Sequence, residues 1–290
     1  AVQDAGKLVR LWLGTASPGE SASVAGLQAA AKARSMPKLP PQVACPNSFA
    51  MAELTQGAGI ATKAGAKAGA SHPAMVPSVV IFDPSLADGL PDWVRFGTAL
   101  RGVEHAVGAV CSPAATEEVR TLALRGLALS RRGLEALVAE PSSRTGCVDC
   151  YRGGWLSISA LFTGCYPAIG HFIENQYSAR FDVHQGSCSG ILCARILAHH
   201  VDASAALQAR LAEALGRPGT PLPGVVAELV RGLPGVAREH EDVGVSAARL
   251  AEFAEHLYSA HGTTLNSASP KPFASAAELL AALGRPVAIL

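Results

Sequence analysis

The pattern of apolar residues changes near Leu90, and this change constrains the fold more than any other feature of the chain. Before it, residues 78–82 form a continuous, largely β-branched run that stops at Asp83 and Pro84. A strand that is apolar on both faces is typical of a sheet covered on both sides. After Leu90, apolar residues recur at three- and four-residue intervals, which is the period of an α-helix. The sequence therefore predicts an α/β part over residues 1–90 and a large all-helical part over residues 91–290.

Proline- and glycine-rich loops divide the second part into separate helical segments. These predicted helices are residues 93–110, 115–139, 151–163, 184–200, 204–215, 224–233, 246–256 and 274–282. In the first part, helices are predicted at residues 2–13 and 23–34, and short strands at 42–45, 60–62 and 78–82. That part is too short for a complete dinucleotide-binding sheet, and it lacks the Gly-x-Gly-x-x-Gly turn of such sheets.

Composition excludes several classes of protein. The 290 residues are 49% hydrophobic and 16% charged, which is ample for a large core. The net charge of +1 indicates neither a nucleic-acid partner nor an acidic membrane surface, and no apolar run is long enough to span a bilayer. There are 7 cysteines, an odd number, and several lie in apolar stretches, which favours reduced thiols and a cytoplasmic protein. The single Cys-x-x-Cys pair, Cys147 and Cys150, is a weak metal or redox signal and is read as ordinary thiols.

Residues 168–200 hold the strongest candidate site. His171 and His184 lie here, with Asp182 just before the second histidine and a small-residue helix start just after it. Histidine can bind metal or transfer protons near neutral pH. No chemical role is predicted for the remaining histidines. His199 and His200 are interpreted as a pair at a helix C-terminus. The predicted surface positions are His240, His256 and His261.

Several motifs, taken in order, resemble the iron-containing alcohol dehydrogenase family, and within it the maleylacetate reductase branch. They are residues 2–7 (VQDAGK), similar to the end of that family's phosphate-binding turn, then 44–48 (ACPNS) with 52–55 (AELT), 79–86 (VVIFDPSL), 97–110, 168–186 and 269–272 (SPKP). The resemblance spans essentially the whole chain. It implies a dehydroquinate synthase-like fold, in which residues 1–90 are the second half of a Rossmann-like domain and residues 91–290 carry the histidine site.

The resemblance also implies a cofactor, NAD or NADP, in the cleft between the two parts. Asp4 and Lys7 are expected near its phosphates, and Asn47 and Ser48 beside the nicotinamide. The first βαβ units of the family's nucleotide domain have no counterpart in this sequence, so we expect a preceding or separate segment to supply them. Because the family often dimerises, a homodimer is expected by analogy.

The family's metal site is only partly matched. It uses an aspartate and a histidine four residues apart on one helix, with two later histidines. His105 and His184 resemble two of these ligands, but Arg101 stands at the aspartate position and Pro167 at the remaining one. His171 resembles a non-ligand active-site histidine, although an alternative register makes it a ligand. Because a guanidinium cannot bind a cation, no catalytic metal is expected.

The resemblance and the chemistry of these residues suggest roles for them. Arg101 would replace the metal by holding a carboxylate or enolate of the substrate. His171 or His184 would transfer the proton that accompanies hydride transfer, Asp182 would orient one of them, and Glu174 is a further candidate acid. The first hypothesis is therefore a metal-independent oxidoreductase that reduces a small carbonyl compound, oxoacid or enone with NAD(P)H.

Two alternatives stay open at this point. The same scaffold could serve a non-redox enzyme of secondary metabolism, such as a cyclase, isomerase or lyase, with histidine acid–base chemistry and Arg101. It could also be a non-catalytic relative retained for assembly with an active partner. The fold alone does not exclude either.

Overall fold

The computed structural model describes residues 2–15, 23–32, 39–61 and 67–288. The first part contains helices α1 (Val2–Thr15) and α2 (Val24–Ala31) and strands β1 (Val43–Ala44), β2 (Gly57–Ala61), β3 (Lys67–Ser71) and β4 (Val79–Val80). The second part contains α3 (Asp92–Cys111), α4 (Glu117–Ala139), α5 (Arg144–Phe162), α6 (Ile169–Phe181), α7 (Gln185–His199), α8 (Ala205–Ala214), α9 (Leu222–Arg231), α10 (Ala247–Ala268) and α11 (Ala276–Leu283). The predicted fold class, a small α/β part and a large helical part, is confirmed.

The strands form two small sheets. β1 pairs in parallel with β4, with Val43 opposite Val79, and β2 pairs antiparallel with β3. The predicted strand at residues 78–82 is therefore reduced to Val79–Val80. Its expected burial on both faces is wrong: Val43, Val79 and Ile81 are 59%, 48% and 50% exposed, because no helix among the described residues covers them. The predicted strand at 60–62 is found as the end of β2, while Thr62 lies outside the described residues, as do residues 33 and 34 of the second predicted helix.

Helix α3 is the centre of the helical part. Every residue from Arg95 to Cys111 is buried, and α3 packs on α4, α5, α6, α7 and α8. The neighbours α4 and α5 approach each other through glycines: a Cβ on Gly126 would lie 2.9 Å from the carbonyl oxygen of Gly153. This close packing surrounds α3 with helices, so polar side chains on it face protein rather than water.

Most predicted helices are present, with three differences. α5 begins at Arg144, earlier than predicted, because the Ser143 side chain accepts a hydrogen bond from the Gly146 amide and caps it. α10 continues to Ala268 across a kink at His261. α6 was not among the predicted helices, since its polar and apolar residues alternate without a clear helical face. Within the described residues, no helix combines the length and apolar character needed to cross a bilayer.

The surface position predicted for His240 is wrong. The residue is buried, its Nε2 donates to the Leu283 carbonyl (3.0 Å), and its Nδ1 accepts from the Tyr177 hydroxyl (2.9 Å). Because its neighbours in the sequence are charged, the local pattern predicted an exposed position for this histidine. Cys147 and Cys150 are free and buried in α5, and burial raises the pKa of both thiols, as expected for unreactive cysteines.

Candidate active site

A buried arginine organises the candidate active site. Arg101, in the middle of α3, is 3% exposed. Its Nη1 donates to Glu174 Oε2 and to Ser189 Oγ (3.1 Å), while its Nη2 faces His105 Nε2 (3.2 Å) and His171 Nδ1 (3.1 Å). Every hydrogen on the two Nη atoms therefore points at a protein acceptor. The guanidinium is fixed on all sides.

Helical spacing brings these groups together. Arg101, Glu104 and His105 are three and four residues apart, so α3 carries them on one face. α6 supplies His171 and Glu174 in the same way, because they are three residues apart, and α7 supplies a serine hydroxyl. The sequence therefore encodes each half of the cluster locally, and the packing of α3 on α6 and α7 joins the halves.

The arginine also fixes the protonation pattern of its histidines. Because a guanidinium only donates hydrogen bonds, His105 Nε2 and His171 Nδ1 must accept from it. Burial and then the charge of Arg101 hold the pKa of His105 well below its ordinary value, so this ring is neutral with its proton on Nδ1. His171 differs, since its Nδ1 also lies 3.3 Å from Glu104 Oε2. When His171 is protonated, Nδ1 has a carboxylate to donate to.

Two buried carboxylates share the single guanidinium. Burial and then the negative charge of Glu104 raise the pKa of Glu174 well above its ordinary value. Burial also opposes ionisation of Glu104, but Arg101 and His171 outweigh it and hold the Glu104 pKa below its ordinary value. Arg101 and Ser189 both donate to Oε2 of Glu174, which fits the carbonyl oxygen of a protonated acid. The two opposite pKa shifts favour ionisation of Glu104 over ionisation of Glu174 beside the single guanidinium.

A cleft of about 490 Å³ opens over this cluster between the two parts of the chain. Arg101, His105 and His171 line it on the helical side. The opposite wall is the β2–β3 hairpin, whose lining residues in the described part are glycines, alanines and a serine: Gly57, Ala58, Gly59, Ala68, Gly69, Ala70 and Ser71. Most residues of this wall therefore have a short side chain or none.

Asp4 and Lys7, the predicted phosphate contacts, lie at different depths. Asp4 lines the cleft, and its Oδ2 accepts from the Gly59 amide (3.3 Å). Lys7 is fully buried, and its Nζ donates to the carbonyl oxygens of Ala52, Thr55 and Gly57 at 2.5, 2.6 and 3.0 Å. A contact between Lys7 and a phosphate would have to break these bonds. Lys7 therefore ties α1 to the segment that leads into β2.

We expect Lys7→Met to lower the free energy of unfolding by about 2–4 kcal/mol, because several buried carbonyl oxygens would lose their donor. Urea denaturation of the full chain measures this loss. The matched control is Lys32→Met at the exposed C-cap of α2, which should change stability by less than about 0.5 kcal/mol. Equal effects of the two variants would contradict the anchoring role of Lys7.

Asn47 and Ser48, the predicted nicotinamide contacts, lie in the bend after β1. Asn47 is exposed and Ser48 is half-buried. Their chain neighbours Ala50 and Ala52, rather than they themselves, are among the residues that line the cleft. Their contact with a cofactor stays a prediction.

His184 and Asp182 do not act as a pair. His184 is the N-cap of α7: its Nδ1 accepts from the Gly186 amide (3.2 Å), and its ring packs edge-on against Trp93. Burial, followed by the charge of Arg101, lowers the pKa of His184. Asp182 is exposed and occupies the C-cap of α6 at φ 55°, so its predicted role in orienting a histidine is wrong.

Two residues that the sequence analysis did not single out complete the site. Glu104 orients His171, and Ser189 bridges Arg101 and Glu174. The spacing of Glu104 from Arg101 on α3 was the available signal for the first. No local pattern marks Ser189, because its partners lie 88 and 15 residues away.

No family model matches the chain. It is 38% identical over 116 residues to maleylacetate reductase 1 of Rhodococcus opacus, a match covering 40% of this chain and 32% of the relative. It is 27% identical over 181 residues to the maleylacetate reductase of Pseudomonas knackmussii, covering 62% and 51%. Its fold resembles that of an iron-containing alcohol dehydrogenase from Corynebacterium glutamicum, with a TM-score of 0.74, 22% identity, and coverage of 90% of this chain and 70% of that one. The sequence is therefore similar to maleylacetate reductases over part of their length, and the fold is that of an iron-containing alcohol dehydrogenase.

The matched part of the chain spans between 32% and 51% of the length of these two relatives. The cluster offers a metal Glu104, His105 and His171, whose ligand atoms lie within 4.8 Å of one another. A zinc-like ion binds such atoms at about 2.0–2.2 Å, on the lone pairs themselves. Here those lone pairs face the hydrogens of Arg101, whose charge also repels a cation. The residues as arranged therefore do not fit a divalent metal.

Proposed function

We propose that this chain carries the catalytic part of an NAD(P)-dependent oxidoreductase of the maleylacetate reductase and alcohol dehydrogenase type. It reduces the carbonyl group of a small substrate, and it does so without a metal. The observation that carries the proposal is the placement of His171, whose ring lines the cleft while Nδ1 is held between Arg101 and Glu104.

Reduction of a carbonyl requires a hydride at carbon and a proton at oxygen. Bound NADH or NADPH supplies the hydride. Protonated His171 supplies the proton: Nδ1 donates to Glu104, and Nε2 donates to the substrate oxygen and transfers its proton as that oxygen gains charge. The neutral ring that remains keeps its other proton on Nδ1, next to Glu104, and a proton taken from water at Nε2 restores the donor before the next turnover. In the oxidative direction His171 takes the proton from the alcohol.

The remaining residues of the cluster position this histidine. While His171 is neutral, every hydrogen on the Nη atoms of Arg101 faces a protein acceptor, so its predicted role as a carboxylate clamp does not fit this arrangement. It instead holds both histidine rings and offsets the charge of Glu104. His105 lines the cleft next to it as a neutral ring.

The β2–β3 hairpin is the proposed seat of the nicotinamide ring. Its glycines and alanines let a planar ring approach the backbone, and Asp4 and Ser71 give this wall polar groups. The ring would then face His171 across the cleft, with the substrate between them. The other predicted cofactor contacts, Lys7, Asn47 and Ser48, stay predictions.

The first test measures binding of NADH and of NADPH to the full chain, by quenching of tryptophan fluorescence and by the shift in melting temperature. Loss of dihydronicotinamide absorbance with a panel of aldehydes, ketones, oxoacids and enones then measures turnover. His171→Gln is expected to lower kcat by about 100-fold or more, with unchanged cofactor affinity, because it removes the proton donor. The control is His256→Gln on the exposed surface of α10, which should leave kcat unchanged. A chain that binds neither cofactor, or a His171→Gln variant with full kcat, would refute the proposed function.

A further inference from the structure

A second, much smaller cavity lies between α3, α6 and α7. Its volume is about 20 Å³, and within the described part of the chain it shares no lining residue with the cleft. Most of its wall is apolar, but Glu104, Ser112 and His200 also line it. A water molecule needs about 10–15 Å³ and two or more polar partners. The cavity therefore has room for one water molecule, and the polar groups around it decide whether one binds.

The second carboxylate oxygen of Glu104 faces this cavity. Oε2 lies near Arg101 and His171, whereas Oε1 is buried and has no hydrogen-bond partner among the described residues. Gly108 and Gly170 both line the cavity, and a Cβ added to them would lie 3.8 and 3.4 Å from Oε1. A buried carboxylate oxygen that lacks a donor opposes folding. The oxygen thus calls for a small hydrogen-bond donor in this space.

The first turn of α6 supplies donors to the same cavity. Ile169 and Gly170 open this helix and line the cavity, and the N-cap residue, Ala168, offers no side-chain acceptor. Amides of the first turn have no carbonyl partner within their own helix, and the described ranges offer these two amides no other acceptor. Water can accept from an amide and donate to a carboxylate at the same time. A metal ion would instead face the positive end of the helix.

We propose that this cavity is a binding site for one water molecule. The water accepts a hydrogen bond from the amide of Ile169 or Gly170 and donates one to Glu104 Oε1. With the water bound, both oxygens of Glu104 are held, and the side chain keeps its place beside His171. The site concerns the folded cluster alone, so it does not depend on the proposed function.

Two substitutions of Gly170 test the site. A methyl group there would lie 3.4 Å from Glu104 Oε1 and meet no other described atom within 4 Å, so Gly170→Ala displaces the water without crowding its neighbours. Alanine ordinarily stabilises a helix relative to glycine, but loss of the water should lower the melting temperature by about 3–8 °C. A serine hydroxyl can donate to Oε1 in place of the water. Gly170→Ser should therefore melt at least about 3 °C above Gly170→Ala.

The matched controls are Gly262→Ala and Gly262→Ser on α10, where an added Cβ would meet no described atom within 4 Å. Alanine should be the more stabilising residue there, which reverses the order expected at position 170. A crystal structure of the wild-type chain should show a water molecule within about 3.2 Å of Glu104 Oε1, and that of Gly170→Ser should show the hydroxyl in its place. No water at Oε1 in the wild-type chain, or the same order of stability at positions 170 and 262, overturns the inference.

Discussion

The Arg101→Ala substitution is expected to lower the free energy of unfolding by about 3–5 kcal/mol and, at the same time, to create affinity for a divalent metal. The loss of stability follows because Glu104 would be left as a buried carboxylate without its cation. The gain of affinity follows because the lone pairs of His105 Nε2 and His171 Nδ1 would lose their donor. These atoms and a Glu104 oxygen lie within 4.8 Å of one another, and two imidazoles with one carboxylate form a ligand set that zinc accepts.

Urea denaturation with a chelator, with zinc and with cobalt measures both effects. Zinc should restore part of the lost stability in Arg101→Ala, because a ligand that binds only the folded state stabilises it. Cobalt should give a visible spectrum at one ion per chain. The wild-type chain and Arg101→Lys, which keeps a cation in place, should show neither response. The combined Arg101→Ala, His105→Ala variant should lose the metal response but not regain stability.

Two results would contradict this account. Stoichiometric metal in the wild-type chain that is lost on His105→Ala would show that the guanidinium moves aside for an ion. Absence of metal binding in a folded Arg101→Ala variant would show that the histidines are held by other contacts. The first result would also remove the structural basis for metal-independent reduction.

The sequence predicted which segments would meet, but not how Arg101 is used. Arg101 and His105 on one helix, with His171 in a later segment, lie together in one cluster. The direction of Arg101 depends on Glu174 and Ser189, which lie 73 and 88 residues away, and no local periodicity carries that information. Closeness in sequence, in turn, did not predict contact. Asp182 lies two residues before His184, but it has a left-handed backbone conformation and an exposed side chain.

The fold also divides into features that local periodicity predicts and features that depend on distant residues. Helical periodicity predicted α3, α4 and α7 within about two residues at each end, because each buries a continuous face. It missed α6, whose polar residues line a cleft and so are not confined to one outward face. The burial expected for residues 78–82 depended on a covering layer, and apolar sequence alone does not show whether such a layer is present.

The second large effect concerns the two carboxylates of the cluster. The same Glu→Gln substitution should affect the free energy of unfolding differently at the two positions. Glu104→Gln removes the ion that balances Arg101, and it should lower the free energy of unfolding by about 3–5 kcal/mol at neutral pH. Glu174→Gln puts a neutral amide of the same shape in place of a carboxyl group whose pKa is raised in the folded state. In acid, where the wild-type carboxyl group is protonated in both the folded and the unfolded chain, this substitution should change stability by less than about 1 kcal/mol.

The pH dependence of unfolding separates these roles further. The pKa of Glu174 is raised in the folded state, so wild-type stability is greatest below the unfolded value and declines as pH rises through the folded one. Glu174→Gln lacks this decline, so it should gain on the wild type as the pH rises from acid to neutral. The pKa of Glu104 is lowered, so its contribution is present above the unfolded value and is lost as pH falls through the folded one. The deficit of Glu104→Gln should therefore shrink in acid.

Urea denaturation of both variants across this pH range measures the two trends together. A larger loss in Glu174→Gln than in Glu104→Gln would assign the buried charge to Glu174, whose Oε2 receives both Arg101 and Ser189. His171 would then lie beside a neutral carboxyl group, which stabilises a protonated imidazole far less than a carboxylate does. The identity of the ionised glutamate thus decides whether this cluster can hold His171 ready as a proton donor.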